Sequence, residues 1–219
     1  MFEGFSPETA DFLWGLRMNN ERDWFMSHKD AYLRYLYEPM KKLAADISDP
    51  ILKKHGLICK TSRIYRDMRL SPPTPYKESL WTCIRRNSVT WMDEPCLFFE
   101  ITPEGCSFGF IFWQPGTAVM NEFRKEMTNN ADVFLKTVHR AERRSGVPLS
   151  GKAYARPRNC ENKLLSPYYS LRNFTAIKEL PYGDTMFSSE LTEKIGNVFQ
   201  AYLPFLKYAQ QICDRAHCL

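Results

Sequence analysis

Cys96-Leu97-Phe98-Phe99-Glu100-Ile101-Thr102, then Pro103-Glu104-Gly105, then Ser107-Phe108-Gly109-Phe110-Ile111-Phe112-Trp113 read as two strands joined by a tight turn. Both runs are dense in aromatic and branched side chains, which suit a pleated surface, and Pro-Glu-Gly supplies turn chemistry of hairpin length. The same texture covers Leu57 to Arg66 and Leu80 to Asn87, each bounded by Pro, Gly, Asp or Ser. Strands that follow one another through short turns form an antiparallel meander, because parallel pairs need long crossovers. Gly151 to Pro157 is expected to add a short strand, and Arg158 to Pro167 an irregular loop.

Helical patterns flank this sheet. Ser6-Pro7-Glu8 is a helix start: a hydroxyl cap, proline at the first helical position and an acid at the positive dipole end. Phe12, Leu13 and Leu16 form its apolar face. Asn19-Asn20 break and recap the chain. Phe25, Tyr32, Leu36, Met40, Leu43 and Ile47 then lie on one stripe, which Pro39 kinks or restarts for want of an amide hydrogen. Helix is expected again from Thr117 to Arg144, broken near Asn129-Asn130. Arg140, Arg143 and Arg144 there suit the negative end of a helix dipole. The last helix, over residues 188–215, starts at Ser188-Ser189-Glu190 and carries Leu191, Ile195, Val198, Tyr202, Phe205, Ala209 and Ile212 on one stripe, with a bend expected at Pro204. The chain shows no internal repeat or linker. The expected fold is a single α+β domain over residues 1–219: a mainly antiparallel sheet of about five strands with N-terminal, middle and C-terminal helices packed on it.

Composition narrows the function. Apolar residues make up 44% of 219 residues and aromatics 14%, enough for a real core and against disorder. A net charge of +5 is mild, short of the footprint of a dedicated nucleic-acid domain, and leaves room for a local basic patch. Cysteines 59, 83, 96, 106, 160, 213 and 218 are odd in number and lack a C-x-x-C pair, so reduced thiols of a cytoplasmic protein are expected. No signal peptide and no membrane-spanning run is read, and no membrane partner is expected. Cys213 with His217-Cys218 lacks the further ligands that a zinc site takes, so no metal is assigned. Walker, dinucleotide, G-x-S-x-G and H-E-x-x-H patterns are absent, and no cofactor is called for.

One run stands apart: Ser62-Arg63-Ile64-Tyr65-Arg66-Asp67-Met68-Arg69, followed by Pro75-Tyr76-Lys77. It sets three guanidinium groups, a carboxylate and a tyrosine in what reads as a buried strand. Charges in such a setting pair with one another or hold an anion. In extended chain Arg63, Tyr65, Asp67 and Arg69 share one face, while Ile64, Arg66 and Met68 share the other. Asp67 is expected to take one guanidinium as a bidentate pair and leave another free.

Together with Phe5-Ser6-Pro7-Glu8-Thr9, Phe12-Leu13, Asn19-Asn20-Glu21-Arg22, Trp24-Phe25, His28-Lys29 and Tyr32, this run resembles the signatures of an uncharacterised family of conserved hypothetical proteins, domain of unknown function 2461. The resemblance covers residues 2–180 and continues, more weakly, through Phe98-Phe99, Gly105, Gly151, Pro157 and Leu171-Arg172-Asn173-Phe174. It implies a fold class and a choice of residues, and no reaction. Where the family usually carries one or two lysines and an aspartate, this chain has Ser71-Pro72-Pro73-Thr74.

Three functional readings follow. The leading one is an anion-binding module for phosphate, nucleotide or nucleic acid, using Arg63, Arg66, Arg69, Tyr76, Lys77, Arg22 and Trp24. Arg85 or Arg86 could join from the next strand, with Trp81 and Trp91 as stacking surfaces. The second is an enzyme with His28 or Asp67 as acid/base, Trp24, His28 and Tyr32 lining one helix face toward the polar strand. The third is a structural or protein-interaction domain, its charged run stitching the sheet to the N-terminal helices through Asn19, Asn20 and Glu21.

Overall fold

The computed structural model describes residues 1–67, 69, 74–88 and 93–217. Met68, Ser71-Pro72-Pro73, Trp91 and Cys218, which enter the sequence readings above, lie outside the described residues.

The protein is of the α+β class. Five antiparallel strands pair in the order β1 (Ile58–Thr61), β2 (Leu80–Arg85), β3 (Cys96–Thr102), β4 (Gly105–Phe112) and β5 (Phe174–Pro181). The meander through β4 follows the sequence expectation. The last strand does not: Gly151 to Pro157 makes one isolated bridge, Ala153 to Leu171, with another just before it from Ser150 to Thr175, and Phe174–Pro181 is the strand beside β4. The Lys152 amide is taken by the Asn173 side chain at 2.7 Å, which interrupts the ladder between the two bridges, and Pro157 has no amide to donate beyond them. β1 is likewise shorter than the expected Leu57 to Arg66. Along β4 the chain runs so close to β5 that a Cβ on Gly105 would sit 2.2 Å from the Leu180 carbonyl oxygen, and one on Gly109 1.9 Å from that of Ala176. Both glycines also have φ near +150°, a conformation that side chains disfavour.

The residues group into two compact units, each drawn from separated parts of the chain. The first comprises Met1–Ile84, Phe98–Phe108 and Glu179–Gly196. In it α1 (Pro7–Met18) starts from Ser6, and α2 (Arg22–Ser27), α3 (Lys29–Ala31), a π-helical turn (Tyr32–Tyr37) and α4 (Glu38–His55) follow. The stripe of Phe25, Tyr32, Leu36, Met40, Leu43 and Ile47 is buried throughout. Pro39 restarts the helix as expected, at the first turn of α4. Proline has no N–H to give the Tyr35 carbonyl one turn back. The buried Thr9 hydroxyl donates to that oxygen at 2.7 Å, while the Ser6 amide donates to Thr9 Oγ1 at 3.2 Å. One threonine thus serves both the start of α1 and the irregular turn before Pro39. Phe5 stacks on Phe99 at 6.0 Å, and its amide donates to Met186 O at 2.8 Å.

The second unit comprises Arg85–Leu97, Gly109–Lys178 and Asn197–Leu219. It holds α5 (Thr117–Asn129) and α6 (Ala131–Ser145), broken at Asn130 as the sequence implies, and a short α7 (Ser166–Tyr169). α6 closes on Gly146 in the left-handed conformation, with Arg143 and Arg144 in its last turn. The last helix, α8 (Glu190–His217), buries all seven residues of its expected stripe. Within this unit Phe205 packs edge-on against Phe110 (5.1 Å) and Phe174 (6.2 Å), and the buried Tyr202 hydroxyl donates to Val147 O at 2.6 Å. Each such ring contributes roughly 1.5–3 kcal/mol by leaving water.

Removing the Thr9 hydroxyl while keeping its shape tests the helix junction. Thr9→Val is expected to lower the urea-unfolding free energy by about 1 kcal/mol. In a Pro39→Ala background, where a regular amide can serve Tyr35, the same change should cost measurably less. Equal costs in the two backgrounds would refute the account.

Candidate functional site

The charged run beginning at Ser62 is anchored from the first unit's own helices. Past β1, Ser62 N–H donates to Trp81 O at 2.8 Å. Tyr65 and Tyr76 then form an antiparallel bridge, Arg66 N–H donating to Pro75 O and Lys77 N–H to Ile64 O, both at 2.8 Å. The Asn20 side chain closes this bridge: its Nδ2 donates to Tyr76 O and its Oδ1 accepts from Tyr76 N–H, each at 3.0 Å. An amide side chain carries both donor and acceptor, so it can pair with one residue's backbone as a neighbouring strand would. Phe25 stacks on the buried Tyr76 ring at 4.1 Å and meets Tyr65 edge-on at 5.9 Å. Ile64 is 1% exposed. With it turned inward, Arg63 and Tyr65 stand in solvent.

This corrects the picture of a buried charged strand. Arg63, Asp67 and Arg69 are exposed and Arg66 is half-buried. They do not stitch the sheet to the helices: Asn20 serves Tyr76, Asn19 Nδ2 donates to Gly15 O at 3.0 Å, and Glu21 opens α2. The link that sequence reasoning missed is Arg17 on α1, which pairs with Glu78 at 2.7 Å and with Glu104.

Asp67 accepts Arg69 as a bidentate pair, Nε at 2.9 Å and Nη2 at 2.7 Å. Those bonds hold the Asp67 carboxyl below the usual carboxylate range. Arg69 is 88% exposed, so the pair is a surface feature of little weight for stability. Arg63 has no side-chain hydrogen bond or ion pair among the described residues. Arg66 reaches only Glu78, at 4.0 Å, an acid already engaged by Arg17. Lys77 Nζ donates to the Arg63 carbonyl at 2.9 Å and lies 5.8 Å from the Trp81 ring centre. Burial lowers the Lys77 pKa, and the Arg63 and Arg66 charges lower it further. Three cations, Arg63, Arg66 and Lys77, therefore share one neighbourhood.

Of the other candidates, Tyr76 is a buried packing residue whose hydroxyl pKa is raised by burial and by Tyr65. Arg22 is exposed, and its charge acts on Tyr76 from α2. Trp24 stacks on His28 at 4.0 Å. His28 does not meet Asp67: its Nδ1 lies 2.9 Å from Trp24 O and 3.0 Å from Ser27 Oγ, while Asp67 is held by Arg69. Tyr32 turns into the core beside Phe12 and Phe25. Arg86 belongs to a network of its own in the second unit, with Glu94 at 3.0 Å and Asp214 at 2.5 Å. Arg85 donates to Arg86 O at 2.7 Å. Among the described residues no three His, Cys, Asp or Glu side chains gather closely enough to hold a metal ion. None of the described helices is long and apolar enough to cross a membrane.

An α+β protein with a cationic surface cluster, held in place by an Asn clamp and an aromatic stack, is the class that fold and geometry define. Its chain matches the profile of the conserved hypothetical proteins, domain of unknown function 2461, over residues 8–208, and it belongs to that family. No curated protein matches it.

Two substitutions separate scaffold from surface. Asn20→Ala removes two hydrogen bonds to a part-buried backbone and is expected to cost about 2 kcal/mol in chemical denaturation. Arg63→Ala should stay within about 0.5 kcal/mol of the parent. A large loss at Arg63 would restore the stitching role.

Proposed function

We propose that the protein binds a phosphate-bearing anion at Arg63, Arg66 and Lys77. The observation that carries this reading is the Lys77 ammonium: it is partly desolvated, pressed by two guanidinium groups and offset only at a distance by Glu100, and among the described residues it has no carboxylate within ion-pair distance. Like charges held together at a protein's expense are relieved by an anion, and guanidinium and ammonium donors form short charge-assisted bonds to phosphate. Asp67 and Arg69 form a closed pair of their own, and Arg22 adds a positive charge beside Tyr76. No disulfide joins the six described cysteines, in keeping with the reducing cytoplasm. The exposure of Arg63 favours ligand binding over internal scaffolding, and the separate engagements of His28 and Asp67 leave no acid–base pair to favour an enzyme.

Inorganic phosphate, nucleotides and a short oligonucleotide serve as probes in a thermal-shift series. A probe at a hundredfold its dissociation constant is expected to raise Tm by about 5–10 °C, and Arg63→Ala with Lys77→Ala should abolish the rise. No shift with any probe, or an equal shift in the double variant, would overturn the reading.

Lys77 itself supplies a second check. Its folded pKa lies below the unfolded value, so the unfolded chain binds more protons between the two. Stability therefore rises as pH climbs through that alkaline window. Saturating phosphate should raise the Lys77 pKa, followed by NMR of its side chain, and flatten the rise. A lysine that titrates at the ordinary value with and without phosphate would remove the electrostatic basis.

A further inference from the structure

The second unit contains a cavity of about 340 Å³ between the end of β4 and the chain leading into β5. Lys152, Arg172, Trp113, Tyr154, Thr117 and Asn173 line it. Gly151 and Arg172-Asn173, which the family resemblance singles out, thus fall at a site unused by the cluster on Arg63. The local chain is arranged to hold it. Asn173, buried, accepts the Lys152 amide and donates to Trp113 O at 3.3 Å. The Arg172 amide donates to Lys152 O at 2.8 Å, so the two cationic residues are backbone partners. Gly151 permits this approach, because a Cβ there would lie 2.1 Å from Asn173 O.

The charge at this cavity is unbalanced. Lys152 and Arg172 are exposed, and neither has a carboxylate within ion-pair distance among the described residues. Lys152 Nζ sits 5.5 Å from the centre of the Trp113 ring, a contact that uses no N–H donor. Arg158 lies over Tyr154 at 5.0 Å, and the buried Arg124 at 5.2 Å. Arg124 is satisfied by carbonyls of Met120, Tyr169 and Leu171; Arg158 keeps its donors. Thr117 opens α5 at the rim, and that helix has no acid in its first turn. Trp113 is 50% exposed, a large indole surface open to a planar group. The volume lies at the low end for small-ligand sites.

We propose that this cavity binds a small phosphorylated ligand bearing a planar ring, of mononucleotide size. Lys152 and Arg172 hold the phosphate and Trp113 contacts the ring. Fork-shaped and ammonium donors suit phosphate oxygens, and stacking on an aromatic side chain accepts any flat base. The site is separate from the one proposed at Arg63, and either can fail without the other.

Calorimetry with AMP, CMP, inorganic phosphate and adenosine tests it on the full chain. In the full chain carrying Arg63→Ala and Lys77→Ala, one AMP or CMP is expected to bind, more tightly than phosphate or adenosine. Lys152→Ala with Arg172→Ala should weaken it by about a hundredfold, and Trp113→Ala by about tenfold. Lys152→Gln with Arg172→Gln, which keeps most of each side chain's length, should weaken binding comparably and guards against a folding loss. Arg63→Ala with Lys77→Ala should leave this binding unchanged while removing that at the other cluster. Absence of nucleotide binding, phosphate bound as tightly as either nucleotide, or affinity that survives loss of both cations would each overturn the proposal.

Discussion

The first unit depends on one side-chain amide standing in for a strand. Asn20 pairs with the Tyr76 backbone in both directions, and Phe25, five residues on, covers the Tyr76 ring. Two segments far apart in sequence are thereby held in register by a pair of hydrogen bonds and a ring stack. The run from Ser62 to Asp67 can then leave Arg63 exposed and Arg66 half-exposed, because its inward obligations are met by Ile64 and by the aromatic cluster. Residues that look functional by composition and residues that are structural by contact thus sit side by side in the same run.

The sheet meander and the long helices were legible because their signals are periodic. The α8 stripe and the Cys96–Trp113 hairpin bury what their spacing says they should. β5 was less so. Phe174-Thr175-Ala176-Ile177-Lys178-Glu179 mixes a buried start with a solvated end, and its strand character is fixed by the glycine-cleared flank of β4, a long-range fact. Gly151 to Pro157 carried a strand-like composition, but its amide at Lys152 goes to a side chain. Periodicity records which face is buried and says nothing about which acceptor takes an amide.

At the candidate site, sequence alternation placed the exposed face of Arg63, Tyr65, Asp67 and Arg69 on one side, and the Asp67–Arg69 pair is bidentate. What alternation could not give was burial, since charged residues between apolar ones look the same whether a strand is central or peripheral. The roles of Arg17 and Asn20 were equally hidden: each depends on a partner more than fifty residues away. Arg124 was hidden for a related reason. It lies on the apolar stripe of α5 beside Phe123 and Met127, where the carbonyls of Tyr169 and Leu171, with that of Met120 on its own helix, offset its burial. A cation on a buried helix face was the one available signal.

Both units are assembled from separated segments that emerge from the ribosome at different times. Phe5 awaits Met186 for its amide acceptor, and the Thr102 carbonyl awaits the Tyr182 hydroxyl at 2.9 Å. Local helices can form as they are synthesised, but neither core closes until the last third of the chain arrives. Closure of such distant pairs is slow relative to helix formation. The cluster of Phe12, Phe25, Tyr32, Tyr65 and Tyr76 joins residues that all precede β2, so it can assemble early, and the late segments complete the interior around it.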